Sequence, residues 1–243
     1  MEVISAYPFS GSEQILDVGS GDGALSALLA KKVPQGGVLG IDVSPAMVEY
    51  AKNSWSRSNL QFEEIDIKSG TFNKQFDIIT IFFAFEWLVN KMMVIEKCYE
   101  SLVSGGCLWI LTPVNIPKAI ADAILFVMEN PKWQSYFDQF QLPMTYLSLK
   151  ETETLLTNAK FSVYLQRIRK KQILFPSREI FHKTLVAATP CINGMSEELK
   201  EAFVSDCIDQ YVLLSPIDKH GRILCPFEIA HYIAVKRGDA LHQ

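Results

Sequence analysis

The stretch ILDVGSGDGALS, residues 15–26, decides the fold. Four residues of a strand-like run (Ile15 to Val18) lead into Gly19, Gly21 and Gly23, and the chain then turns helical. Glycines in that pattern remove side chains where the backbone must turn tightly or let a ligand approach its amides, at the start of a helix. The stretch therefore reads as a nucleotide-binding loop between a strand and a helix. Working outward from it, QILDV (14–18) is a first strand, 22–32 a helix, and GVLGID (37–42) a second strand. Ser44 is a natural N-cap and Pro45 suits a first helical position, so a second helix follows. LQFEEI (60–65) and the unbroken apolar run FDIITIFF (76–83) are the third and fourth strands. A helix from about 90 to 102 and CLWILT (107–112), entered through Gly105 and Gly106, complete the alternation. Strand and helix alternating in this way predict an α/β protein, a Rossmann-like, doubly wound, mostly parallel sheet.

After Pro113 the pattern changes. Residues 117–141 read as helical and carry Phe126, Trp133, Tyr136, Phe137 and Phe140. A helix at 149–158, a strand beginning FSVYLQRIRKKQI, helices near 177–187 and 196–213, and a last strand at 227–236 follow. The expected organisation is a single domain over 1–243, with a cofactor-binding core at 13–112, further core strands at about 161–172 and 227–236, and cap insertions at about 113–148 and 174–222. The insertions are expected over the carboxyl ends of the early strands, where such sheets bind ligands.

Composition narrows the function. A chain of 243 residues with 49% apolar and 21% charged residues is ordinary for a globular protein, and a formal net charge of −4 gives no attraction to nucleic acid. The run Arg167, Arg169, Lys170, Lys171 reads as the solvated end of a strand. Five scattered cysteines without metal-ligand spacing fit reduced thiols and no metal site. Neither a signal peptide nor an apolar run of roughly 18 residues is evident, so no membrane span and a cytoplasmic location are expected.

The glycines alone do not choose the ligand. Gly19, Gly21 and Ala24 also satisfy a dinucleotide fingerprint, with Asp42 placed to hold ribose hydroxyls. Asp17, two residues before the glycines, would repel a pyrophosphate but attract a cationic amino-acid moiety. Asp66 stands after the third strand at the same sheet edge, and the loop holds no lysine or arginine. Three carboxylates favour a positively charged ligand without phosphate, and S-adenosylmethionine has that character.

Taken together, these motifs resemble the class I S-adenosylmethionine-dependent methyltransferases over residues 13–112. Asp17 to Gly23 match the glycine motif, Asp42 the ribose-binding acid, and Asp66 with Ile67 the adenine-contacting pair. FDIITIFFAFEWL is similar to the fourth-strand motif lining the methionine end and the substrate, and SGGCLWIL to the turn and fifth strand. The resemblance implies cofactor contacts from Asp17, Gly19, Ser20, Gly21, Gly23, Asp42, Val43, Met47, Asp66, Ile67 and Phe82, and an antiparallel last strand. KWQSYFDQF and FPSREIFHKTLVAATPCING resemble the small-molecule carboxyl methyltransferases related to juvenile hormone acid and trans-aconitate methyltransferases. That resemblance implies a small-molecule acceptor; Phe83, Trp87, Trp133, Phe137 and His182 are the candidate substrate contacts, and a monomer or homodimer is expected.

A carboxylate acceptor is ionised at neutral pH and requires no general base. Many relatives carry a histidine just before the tryptophan, whereas this chain has Glu86, an alternative base for a hydroxyl or amine acceptor. Only MEVISAYPFSGSE precedes the first strand, shorter than the relatives' usual cover, which keeps open a catalytically silent cofactor-binding or interaction protein. A nicotinamide oxidoreductase is disfavoured by the carboxylates and by the lack of a tyrosine-lysine or histidine pattern.

Overall fold

The computed structural model describes residues 2–72, 75–140, 142–215 and 217–237. Its elements in order are α1 (Glu2–Ala6), β1 (Gln14–Val18), α2 (Ala24–Lys32), β2 (Gly37–Asp42), α3 (Pro45–Ser54), β3 (Leu60–Glu64), β4 (Phe76–Phe82), α4 (Lys91–Ser101), β5 (Leu102–Pro113), α5 (Lys118–Met128), α6 (Leu149–Asn158), β6 (Phe161–Phe175), α7 (Arg178–Ala188), α8 (Glu197–Leu214) and β7 (Ile223–Lys236). The strands form one seven-stranded sheet in the order β3-β2-β1-β4-β5-β7-β6. β1 pairs in parallel with β2 and β4, β2 with β3, and β4 with β5. β7 runs antiparallel: Lys236 at its end donates to the Leu102 carbonyl at the start of β5, while Glu228 accepts from the N–H of Val114, just past β5. The doubly wound, mostly parallel sheet with an antiparallel last strand is thus present.

The physical reason lies in the strands' composition. In β4 every residue but Asp77 is buried, which suits a central strand covered on both faces. Burying each such aliphatic side chain contributes about 2 kcal/mol. Asp77 instead accepts the N–H of Gln14 at 2.7 Å and ties β4 to the start of β1. Ahead of the sheet, Ile4 of α1 is fully buried, and the Tyr7 ring stacks on Trp109 of β5 at 5.0 Å.

Three elements differ from the sequence reading by four residues or more. β5 begins at Leu102 and incorporates Gly105 and Gly106 with a register irregularity opposite Phe76 and Ile78, where an entry turn was expected. The helix expected over 117–141 stops at Met128, and a short 3₁₀ turn, Gln134–Tyr136, follows it. Pro131 lacks the N–H that a continuing helix would use. β7 starts four residues earlier than expected, at Ile223.

The chain divides into two compact units. The first comprises Met1–Thr112, Leu147–Ile168 and Ala230–Gln243, and the second Pro113–Tyr146 and Arg169–Ile229. The second unit has its own aromatic core. Trp133, Phe137, Phe181, Phe203 and Tyr211 are buried there, with Phe203 meeting Trp133 edge-on at 5.2 Å and Phe137 at 4.9 Å.

Candidate active site

The glycine loop joins β1 to α2, and its geometry follows from its residues. Gly19, Gly21 and Gly23 all have positive φ. At Gly19 a methyl group would come within 2.4 Å of the Ala84 Cβ, so glycine lets the loop pass close to the turn after β4. At Gly23 a methyl would collide with Phe62 and Ala51, so glycine there lets β3 and α3 press against the loop. Gly21 differs: nothing lies within 4 Å of where its Cβ would stand.

Most of the loop's donors are spent internally. The N–H groups of Gly19 and Ser20 donate to the Ile41 carbonyl at 2.8 and 3.0 Å, Gly21 to Asp42 Oδ2 at 2.9 Å, Gly23 to the Ser20 carbonyl at 3.0 Å, and Ala24 to Asp22 Oδ1 at 3.0 Å. The N–H of Asp22 takes no acceptor among the described residues. The buried Ser20 hydroxyl also lacks a partner. A buried polar group without a partner calls for an explanation, and a ligand is one. Open space at Gly21, a free amide and an orphaned hydroxyl together form a cradle that fits a polar ligand such as S-adenosylmethionine.

The three expected carboxylates occupy different environments. Asp17 is 2% exposed and accepts from Ser26 Oγ at 2.5 Å and Thr80 Oγ1 at 2.6 Å. Burial pushes its pKa up to about 6, the two hydroxyls oppose that shift, and the Asp42 charge adds to it. Both oxygens of Asp17 are therefore engaged behind the loop. Asp42, half-buried, accepts from Gly21 and, through Oδ1, from the N–H of Ser44 at 2.9 Å. Asp66 accepts the N–H of Lys68 at 3.0 Å and pairs with the Lys68 ammonium at 3.2 Å, while Ile67 beside it is buried. Val43 and Met47, beyond β2, are exposed.

After β4 the chain makes an abrupt turn. Phe82 is buried with its ring edge-on to Trp109 at 5.2 Å. Phe83, half-buried, takes φ +56° while its N–H donates to the Leu111 carbonyl at 2.7 Å, a strained backbone of the kind that clusters at functional sites. Phe85–Trp87 then form a 3₁₀ turn. Trp87 is 42% exposed, whereas Glu86 is buried and accepts from Thr112 Oγ1 at 3.0 Å. Burial raises the pKa of Glu86, opposed by its own backbone N–H, by Thr112 and by Lys91. The Lys91 ammonium donates to the Glu86 carbonyl at 3.3 Å and the Leu88 carbonyl at 2.9 Å, and burial lowers its pKa.

Of the expected substrate contacts, Phe83 and Trp87 lie in the first unit, and Trp133, Phe137 and His182 in the second. Trp133 is 1% exposed and its Nε1–H donates to Asp206 at 2.7 Å; Phe137 is also buried in that core. His182 is half-buried against Glu201, with Nε2 3.1 Å from the backbone carbonyl and Nδ1 3.4 Å from the carboxylate. Sequence reading missed Ser26, Thr80, Thr112 and Lys91. Thr80 had a signal, being the single hydroxyl in a strand that is apolar apart from Asp77; Ser26 had none. Among the described residues, no group of three or more His, Cys, Asp or Glu could hold a metal, and no helix is long and apolar enough to cross a membrane.

A mostly parallel sheet with a glycine loop at its switch point, an acid ending the next strand and a strained turn after the fourth is the framework of a methyltransferase fold, and the chain's similarities to known proteins indicate an S-adenosylmethionine-dependent methyltransferase. A family model described as a methyltransferase domain matches residues 15–106. Juvenile hormone acid O-methyltransferase of Drosophila melanogaster is 27% identical over 214 residues, which cover 82% of this chain and 71% of that protein. Trans-aconitate 2-methyltransferase of Methylobacterium nodulans is 23% identical over 228 residues, covering 93% and 88%. The crystal structure of an S-adenosylmethionine-dependent methyltransferase from Mesorhizobium loti shares the fold at a TM-score of 0.56 and 16% identity, covering 96% of each chain.

Proposed function

We propose that this chain O-methylates the carboxylate of a small acid, using S-adenosylmethionine as methyl donor. When bound, that cofactor supplies a methyl group on a positively charged sulfur, open to in-line attack. The Asp22 N–H and Ser20 hydroxyl are the donors offered to its polar groups, and Asp42, already holding Gly21, would take the ribose hydroxyls. Val43, Met47, Asp66 and Ile67 would bracket the adenine. Asp17 contributes negative charge from behind the loop. Gly19, Gly23 and Phe82 shape the path. Phe83 and Trp87 would wall the acceptor.

The single observation carrying the carboxylate reading is the state of Glu86. Its carboxyl is buried and holds the Thr112 hydroxyl, so it is not presented to an acceptor as a base. Its raised pKa also reduces the repulsion an acidic acceptor would meet. A carboxylate arrives ionised, and the protein's task is then alignment and exclusion of water. The two relatives above are named for acids, which agrees. The second reading, a hydroxyl or amine acceptor with Glu86 as base, draws on the same raised pKa. The acceptor is read as a small molecule and the chain as cytoplasmic, monomeric or homodimeric, in keeping with five free cysteines and negative net charge.

A steady-state screen of acids, phenols and amines tests the proposal. Turnover of acids, with Glu86→Gln retaining most of it, is expected. Turnover confined to phenols or amines and abolished by Glu86→Gln establishes the second reading. Cofactor binding with no acceptor turned over by any extract fraction indicates a silent cofactor-binding protein.

A further inference from the structure

We propose that Trp55 is a positioning residue that fixes the glycine loop and aims its open amide. The geometry is a clamp at the two ends of one helix. Asp42 lies just before α3 and accepts the N–H of Gly21 at 2.9 Å. Trp55 caps the other end of α3, and its indole Nε1–H donates to the carbonyl of Asp22 at 2.9 Å. Adjacent loop residues are thus held from opposite ends of one ten-residue helix. The helix body lies against the loop as well, since a Cβ at Gly23 would stand 2.9 Å from the Ala51 Cβ.

Trp55 leaves the helix line with an extended backbone, φ −129° and ψ 107°, while its own N–H still donates to Ala51 at 3.0 Å. That conformation lets the ring return to the loop. Trp55 is 36% exposed, more than a core tryptophan needs to be, and its one polar atom is spent on the loop. On the other side, Asp22 Oδ1 holds the Ala24 N–H, the first of α2. With carbonyl and side chain both fixed, the backbone torsions of Asp22 are set, and so is the direction of its N–H, the loop donor left for a ligand. Positioning of this kind acts on binding more than on the methyl-transfer step.

The inference rests on the reading that this loop receives S-adenosylmethionine, and the experiment separates the two. Trp55→Phe keeps most of the ring and removes the donor. Amide hydrogen exchange of residues 21–24 in the ligand-free protein reads the clamp alone, and calorimetric titration with S-adenosylhomocysteine reads its use. The expected result is faster exchange of the bonded amides of Gly21, Gly23 and Ala24, an affinity about 5-fold weaker, and, once an acceptor is known, a raised cofactor KM at unchanged kcat. Unchanged exchange overturns the clamp, whatever the affinity does. Faster exchange with unchanged affinity overturns its role in binding. If the wild-type protein itself fails to bind S-adenosylhomocysteine, the cofactor reading falls, and the clamp is decided by the exchange data.

Discussion

Buried polar side chains are distributed unequally between the two units. Among the described residues the first unit buries Asp17, Ser20, Ser26, Thr80, Glu86, Lys91, Thr112, Thr152 and His231, whereas the second buries Thr189 alone. Each buried polar group costs free energy unless it is bonded, and a folded unit does not accumulate them for stability. In the first unit most gather at the ends of β1, β4 and β5, around the glycine loop and the turn after β4. The second unit is packed with aromatic rings, and its tryptophan is buried. The difference separates a region arranged for chemistry from one arranged for packing, and it assigns opposite consequences to similar substitutions.

The largest expected effect tests the packing side. Trp133→Ala removes a fully buried ring from the second unit and is expected to destabilise it by about 3–5 kcal/mol in urea unfolding. A variant of unchanged stability but raised acceptor KM would place Trp133 in the site and break the comparison. Within the loop, Gly19→Ala is expected to cost about 2–3 kcal/mol, because its methyl would meet Ala84 at 2.4 Å with φ at +72°. Gly21→Ala meets no neighbour, so strain of about 1 kcal/mol is expected together with a larger loss of S-adenosylhomocysteine affinity. Equal thermal shifts for the two variants would remove the distinction between a packed and an open glycine.

A pH titration sharpens the polar side. The folded-state pKa of Asp17 is raised from 3.8 to about 6, so between those values the folded chain binds more protons than the unfolded one. The contribution of this group to stability is therefore fully present below about pH 4 and is lost as pH rises through about 6. Asp17→Asn should flatten that part of the stability profile; identical profiles for both proteins would show that Asp17 ionises normally. The smallest effect on stability is expected for the exposed Trp87. Trp87→Ala should change unfolding by under about 1 kcal/mol while raising the acceptor KM.

The first unit was largely legible because its signals are local. Alternating apolar runs, the Gly19, Gly21, Gly23 spacing and the Ser44-Pro45 helix start each act within a few residues. The partners of Asp17 were not legible, since Thr80 and Ser26 meet it only once β4 and α2 have packed. Glu86 illustrates the same limit: the sequence supplies a carboxyl beside a tryptophan, but only Thr112, 26 residues away, makes it a buried acceptor. In the second unit, aromatic residues could be counted but not oriented. Trp133 stood as a candidate ligand contact in the sequence, and its ring packs against Phe203 while its N–H bonds to Asp206.

The most direct test of the central claim is calorimetric titration of the protein and of Asp42→Ala with S-adenosylmethionine, with NAD as control. The account predicts micromolar binding to the wild type, a loss of about 100-fold in the variant as the carboxylate and its bonds to Gly21 and Ser44 disappear, and no binding of NAD. Equal affinity in both proteins, or binding of NAD in place of S-adenosylmethionine, would contradict it.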